Sequence, residues 1–197
     1  MRAFSTKLLL PLVFAALPLA ACSGSGGNGA DAEAEADAGA EAAEGKLAAV
    51  VAGNRDLERV NRLVGNAGMV DVLNGVGPYT LFAPTNAALD TLGAERADAL
   101  AGEEMRPQAA ALLRAHIVPG TLTRRDLQTA LGSSGERPVR VRTMAGTMLT
   151  FSRDGDAILV SSEDGARARL SGEEGLASNG AVQPVDSLLR RAEPASR

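Results

Sequence analysis

The sequence predicts an α+β domain, and three observations carry that expectation. From Lys46 to about Ala130, apolar residues recur at helical spacing. Beyond Val139 they alternate with polar residues in short runs parted by turn residues. One strand-like stretch, Tyr79-Thr80-Leu81-Phe82, stands early among the helices. Helices first and hairpins later, with one strand inserted, is an α+β order.

Leu47, Val50 and Val51 form the apolar face of a short first helix. Asn54 is placed to cap a second, in which Leu57, Val60, Leu63 and Val64 recur at helical spacing. Gly65 and Gly68 punctuate its end. Met69, Val70, Val72 and Leu73 follow, and Asn74-Gly75 reads as a turn. Gly77-Pro78 then feeds Tyr79 to Phe82, which suits a pleated, half-buried surface. Pro84 cannot donate to a ladder, so the strand is expected to end there. Thr85 or Asn86 can cap a short helix carrying Ala87, Ala88 and Leu89.

Pro107 suits the first turn of a helix that bears Leu112, Leu113, His116 and Ile117. Val118-Pro119-Gly120-Thr121 has the signature of a type II turn. Thr123-Arg124-Arg125-Asp126 resembles a capping box opening a helix that ends near Leu131-Gly132. Strands are expected over Val139–Thr143, around Leu149 and Phe151, over Ala157–Val160 and over Ala166–Leu170. A last strand spans Ala181–Asp186, after the turn Ser178-Asn179-Gly180.

Composition limits the chemistry. Aromatic residues make up only 3% of the 197, with no Trp, so stacking platforms for nucleic acid or planar sugar rings are scarce and a nucleic-acid partner is not expected. The single Cys cannot form an internal disulfide, and the single His cannot build a multi-His metal site. No metal or cofactor is expected.

Residues 1–21 have the layout of a secretory signal, with Arg2 and Lys7 before an apolar run too short to span a bilayer. Leu19-Ala20-Ala21-Cys22 resembles the bacterial lipobox, which implies cleavage before Cys22 and its lipidation as the new N-terminus. Several acyl chains on one residue give durable membrane attachment. Ser23 after the Cys implies sorting to the outer membrane, facing the periplasm or the surface. Residues 22–45 read as a tether, first Gly/Ser-rich and then acidic, and residues 191–197 as a C-terminal tail. Six of the 24 acids lie in the tether (Asp31, Glu33, Glu35, Asp37, Glu41 and Glu44) and two of the 20 basic residues in the signal. That leaves 18 of each sign for the domain, residues 46–190 and the tail. The tether carries the net charge, and self-repulsion extends it.

Three blocks, taken in order, resemble the fasciclin domain family. Tyr79 to Leu89, with Phe82-Ala83-Pro84-Thr85-Asn86, resembles its first signature. Ala115-His116-Ile117-Val118-Pro119-Gly120 resembles its middle block. Asn179-Gly180-Ala181-Val182 with Val185-Asp186 resembles its second signature. The resemblance implies a β-wedge of mixed and antiparallel sheets with short helices packed along one side. It also implies a non-enzymatic adhesion or interaction role, which with the lipobox is placed at the cell envelope, and an unknown surface protein as partner. An apolar-ligand carrier, for carotenoid or lipid, is the alternative the family allows. Integrin-type binding is not supported. The Tyr that precedes the middle-block His in the animal members concerned is Ala115 here, and their acidic-Asp-Ile motif has no match in Glu173-Glu174-Gly175-Leu176. Gln183-Pro184 also stands where the second signature usually has a His.

The signature residues Phe82, Ala83, Pro84, Thr85, Asn86, His116, Pro119, Gly120, Asn179, Gly180 and Asp186 are expected to be structural. His116 with Ser161 or Ser178 and Asp186 could be imagined as a hydrolytic triad, but no nucleophile elbow accompanies them. Glu103-Glu104, Asp154/Asp156 and Glu173-Glu174 sit in solvated, turn-like contexts. Arg140, Arg142, Arg167 and Arg169 hold alternate positions of two expected strands. If those strands lie close in the sheet, they make an Arg-rich face suited to an anionic glycan or a lipid phosphate.

Overall fold

A computed structural model describes residues 45–134 and 137–190. Cys22, the tether up to Glu44 and the C-terminal tail lie outside the described residues. The helical part opens with α1 (Leu47–Gly53), a 3-10 turn capped by the Asn54 side chain, α2 (Glu58–Asn66) and α3 (Val70–Asn74). After β1 (Tyr79–Pro84) come α4 (Asn86–Asp90), α5 (Ala94–Leu100), α6 (Arg106–His116), β2 (Ile117–Pro119) and α7 (Arg124–Ser133). The capping box at Thr123 and Asp126 is present. The Thr123 hydroxyl and N–H hold the Asp126 carboxyl below its usual pKa. The remaining strands are β3 (Val139–Arg142), β4 (Met148–Asp154), β5 (Ala157–Ser162), β6 (Arg167–Arg169), β7 (Gly175–Ala177) and β8 (Gly180–Val185).

The strands form two four-stranded sheets. The first has the order β2-β1-β8-β7, with β1 and β8 parallel and the outer pairs antiparallel. The second is the antiparallel meander β3-β4-β5-β6. A bridge between Leu170 and Val185 joins the two along one margin. Strand β1 divides the interior. Tyr79, Leu81 and Ala83 face a core built with α1 to α6, while Phe82 faces a second core shared with the meander and α7. There Phe82 meets Phe151, ring centroids 5.4 Å apart and tilted by 44°.

Several sequence expectations change. Tyr79 is half-buried, but Thr80 to Pro84 are all buried, because the first sheet is covered on both faces. The strand ends at Pro84 as expected, yet Pro84 remains in register with the ladder, opposite Val185. The N–H of Thr85 bonds the Val185 carbonyl, so Pro84 turns its nitrogen to the other edge, where β2 extends only to Leu81. Val118-Pro119 belongs to a short strand rather than to a turn, and the bend comes at Gly120, with φ 101°. Helices α3 and α5 and strand β7 carry no sequence expectation. Each is short, and its pattern covers less than two turns of helix or only three strand residues.

Candidate functional site

The signature residues are held in backbone contacts. Thr85 caps α4, its hydroxyl accepting from Ala88 N–H at 3.2 Å. Asn86 is no cap: it accepts from Arg59 N–H at 3.0 Å and donates to Arg55 O at 2.8 Å, so it pins α4 to the start of α2. Asn179 is a buried hub. Its Oδ1 accepts from Leu47 N–H, and its Nδ2 donates to the carbonyls of Leu73 and Gly75, each at 2.8 Å. Gly180 permits a close approach of β1 and β8, for a Cβ there would sit 1.8 Å from Tyr79 O. Gly120 accepts from the Thr80 hydroxyl at 2.7 Å, and Pro119 faces Tyr79 across the ladder. Asp186 accepts from Arg169 N–H at 2.8 Å and so joins the two sheets.

His116 is buried, 1% exposed, at the end of α6. Its Nδ1 lies 2.8 Å from Leu112 O, and Leu189 N–H reaches its Nε2 at 3.0 Å. A carbonyl only accepts, so Nδ1 carries the proton and the ring is neutral. Burial pushes its pKa down from 6.5 to about 4. Both ring nitrogens are therefore committed to backbone, and no serine can be activated by them. Ser178 donates to Gly45 O, Asp186 serves Arg169, and Ser161 lies on the meander. The imagined triad is not assembled.

The acidic pairs separate as well. Glu103 and Glu104 lie exposed in a 3-10 turn, Asp154 pairs with Arg169, and Glu174 accepts from Arg124 N–H at 2.6 Å. Among the described residues, no group of three His, Cys, Asp or Glu could hold a metal.

A polar cluster at the head of α7 escaped the sequence reading. Gln183, fully buried in β8, accepts from Arg124 Nε at 3.3 Å and donates to Leu122 O at 3.0 Å and to Glu174. Arg124 Nη2 donates to Ser171 O at 2.7 Å. The cluster ties α7 to β8 and to the loop before β7. The signal for it in sequence is one amide inside an otherwise apolar strand.

The four arginines share one face of the meander but not one pair of strands. Strands β3 and β6 are its two edges, with β4 and β5 between them. Arg140 stands opposite Thr150, Thr150 opposite Ser161, and Ser161 opposite Arg167. Directly opposed residues project to the same side of a sheet, so these four lie in one row. Arg142 and Arg169 flank it, and Arg169 pairs with Asp154. All four arginines are exposed.

A cleft between α2, α4 and α5 is lined by Arg59, Arg62, Leu63, Leu89, Ala97 and Leu100 and offers about 10 Å³, room for one water. It does not accommodate a carotenoid. Among the described residues no helix is long and apolar enough to cross a membrane.

Comparison with known proteins adds the lineage of this arrangement. The Fasciclin domain matches residues 55–191. Protein sll1483 of Synechocystis is 31% identical over 143 residues, covering 73% of this chain and 72% of its own. The transforming growth factor-beta-induced protein ig-h3 of Sus scrofa is 28% identical over 146 residues, covering 74% of this chain but 19% of the longer protein. Stabilin-1 of Mus musculus is 32% identical over 146 residues, 70% of this chain and 5% of its own. Among solved structures, a FAS1 domain pair from the insect cell adhesion molecule Fasciclin I superposes with a TM-score of 0.64. It does so at 13% identity, over 76% of this chain and 52% of that one.

Proposed function

This chain belongs to the fasciclin domain family, and from that membership we propose that it is a lipid-anchored interaction module of the bacterial cell envelope, without enzymatic activity. The observation that carries the reading is the use of the signature residues. Thr85, Asn86, His116, Asn179 and Asp186 all engage backbone groups, which makes a rigid body and leaves no assembled catalytic group among them. The family relatives support it. This chain aligns to 19% and 5% of much longer animal proteins, as a module would, and the solved domain pair comes from a cell adhesion molecule.

In this reading Cys22, acylated after cleavage of the signal, fixes the chain to the outer membrane. The acidic residues 31–44 hold the domain away from an anionic surface. Contact is weak at each domain and strengthened by display of many copies. Cys22→Ser tests it: the variant is expected in the soluble fraction after cell disruption, while the unaltered chain sediments with membranes and incorporates labelled fatty acid. A Cys22→Ser chain that still sediments with membranes overturns the anchor.

A further inference from the structure

We propose that the outer face of the meander binds a linear acidic polysaccharide, lying across the strands along the row Arg140-Thr150-Ser161-Arg167. The proposal rests on the reading of the chain as an interaction module and names the chemistry of its partner.

The opposite face of the same sheet packs on the second core. Leu149, Phe151, Ile158, Val160 and Ala168 are all buried in the second core. The outward positions remain open: Thr150, Ser152, Leu159 and Ser161 are half-buried, and Arg140, Arg142 and Arg167 are exposed. Among the described residues, those three arginines have no ion-pair or hydrogen-bond partner, and neither do the hydroxyls of Thr150 and Ser161. Folding therefore uses none of these groups. Elsewhere in the domain the polar side chains of covered strands, such as Thr80 and Gln183, are engaged.

Three features select the ligand. The row ends on guanidinium groups three strand spacings apart, about 14 Å between Cα positions. A single small anion cannot touch both ends, whereas a chain with repeated charges can, and each guanidinium can take a carboxylate or sulfate bidentately. Hydroxyls occupy the middle of the row, where sugar hydroxyls would lie between charged units. The apolar members of the face, Met148, Ala157 and Leu159, are half-buried, so no side chain protrudes to enter a bilayer.

The acids on this sheet fix the direction. Asp154 and Asp156 sit at the β4–β5 turn, Glu163 and Asp164 at the β5–β6 turn. These turns close opposite ends of the strands. Positive potential is thus confined to the middle rows, and a polyanion running along the strands would meet carboxylates at both ends. Running across them, it meets arginine first and last.

The test measures retention of the full chain, in detergent micelles, on immobilised polygalacturonate, with neutral dextran as the blank. Wild type is expected to bind at low salt and to release as salt rises. Arg140→Gln with Arg167→Gln should weaken binding at least ~10-fold, since two bidentate contacts are lost. Thr150→Val with Ser161→Ala should weaken it a few-fold. Arg55→Gln with Arg106→Gln removes the same charge away from the face and should change it less than ~2-fold. Equal losses in the two arginine pairs would reduce the effect to net charge and overturn the site. So would absence of wild-type binding, or displacement of the polysaccharide by phosphatidylglycerol added to the micelles, which would assign the face to a membrane surface. A chain that stays anchored through Cys22 yet ignores polygalacturonate overturns this proposal alone and leaves the envelope module standing.

Discussion

The two sheets have four strands each, and they meet water in opposite ways. Every residue of β8 and five of six in β1 are buried, because helices cover one face of that sheet and the meander covers the other. In β4 and β5 burial alternates, with Leu149, Phe151, Ile158 and Val160 inward and their neighbours outward. The covered sheet can keep a polar group only if the fold satisfies it, as it does for Thr80, Asn179 and Gln183. The half-open sheet is free to leave arginines and hydroxyls unengaged. The proposed partner surface lies on the second sheet, while the strand residues of the family's signatures, Phe82 to Pro84 and Gly180 to Val182, lie in the first.

The sharpest way to break that contrast is a methyl group. Gly180→Ala would place a Cβ 1.8 Å from Tyr79 O and 2.8 Å from Tyr79 C, backbone atoms held by the β1–β8 register. The expected loss exceeds roughly 4 kcal/mol, seen as poor soluble yield and no cooperative urea transition. Gly155 in the meander has φ 62°, and a Cβ added there would meet nothing within 4 Å. Gly155→Ala should therefore cost only about 1 kcal/mol, the strain of the left-handed backbone alone. Similar midpoints for the two variants would refute the difference between the sheets.

His116 gives the next largest effect, and it acts at the seam between the two cores. Its ring joins Leu112 of α6 to Leu189, which closes the core beneath the meander. The folded pKa of about 4 lies below the ordinary 6.5, so between those values the unfolded chain binds more protons. The stability from the neutral ring is full above pH 6.5 and is lost as pH falls toward 4. Between about pH 7.5 and pH 4.5 the loss from this one group is roughly 2.5 kcal/mol. His116→Gln removes the titration, so its urea midpoint should fall less over that interval than the wild-type midpoint does. Parallel pH profiles would show that protonation of His116 is not coupled to unfolding.

The same contrast explains what was legible in the sequence. The alternation Val139-Arg140-Val141-Arg142 and Arg167-Ala168-Arg169 gave both the strands and the face of the arginines, because a half-open sheet writes its burial as a period of two. It did not give their separation, since strand order in a meander is not encoded in spacing, and β3 and β6 proved to be opposite edges. The covered sheet was harder to read. Thr80 to Pro84 has no alternation to show which face is which, and Pro84 reads as a stop although it closes the ladder opposite Val185. Asn86 and Asn179 read as a cap and a turn from local sequence. Their real partners, Arg59 and Leu47, lie 27 and 132 residues away. The buried amide of Gln183 shows in sequence as one amide inside an apolar strand, but its partners Arg124, at the head of α7, and Glu174, in the loop before β7, lie elsewhere in the chain.

The smallest expected effect bears on the proposed binding face. Arg140→Gln with Arg167→Gln removes two exposed side chains that have no partner among the described residues, at the two edges of the sheet. The buried side of the meander, from Leu149 to Ala168, is untouched by either change. The unfolding free energy should therefore change by no more than about 0.5 kcal/mol, the range of surface substitutions. Any shift should shrink with added salt, because only long-range terms among exposed charges are altered. A loss above ~1.5 kcal/mol would place these arginines in the fold rather than at a free surface, since it exceeds what exposed ion pairs contribute. Weakened polysaccharide binding in a variant of unchanged stability separates the two roles: the first sheet keeps the domain folded, and the second presents it.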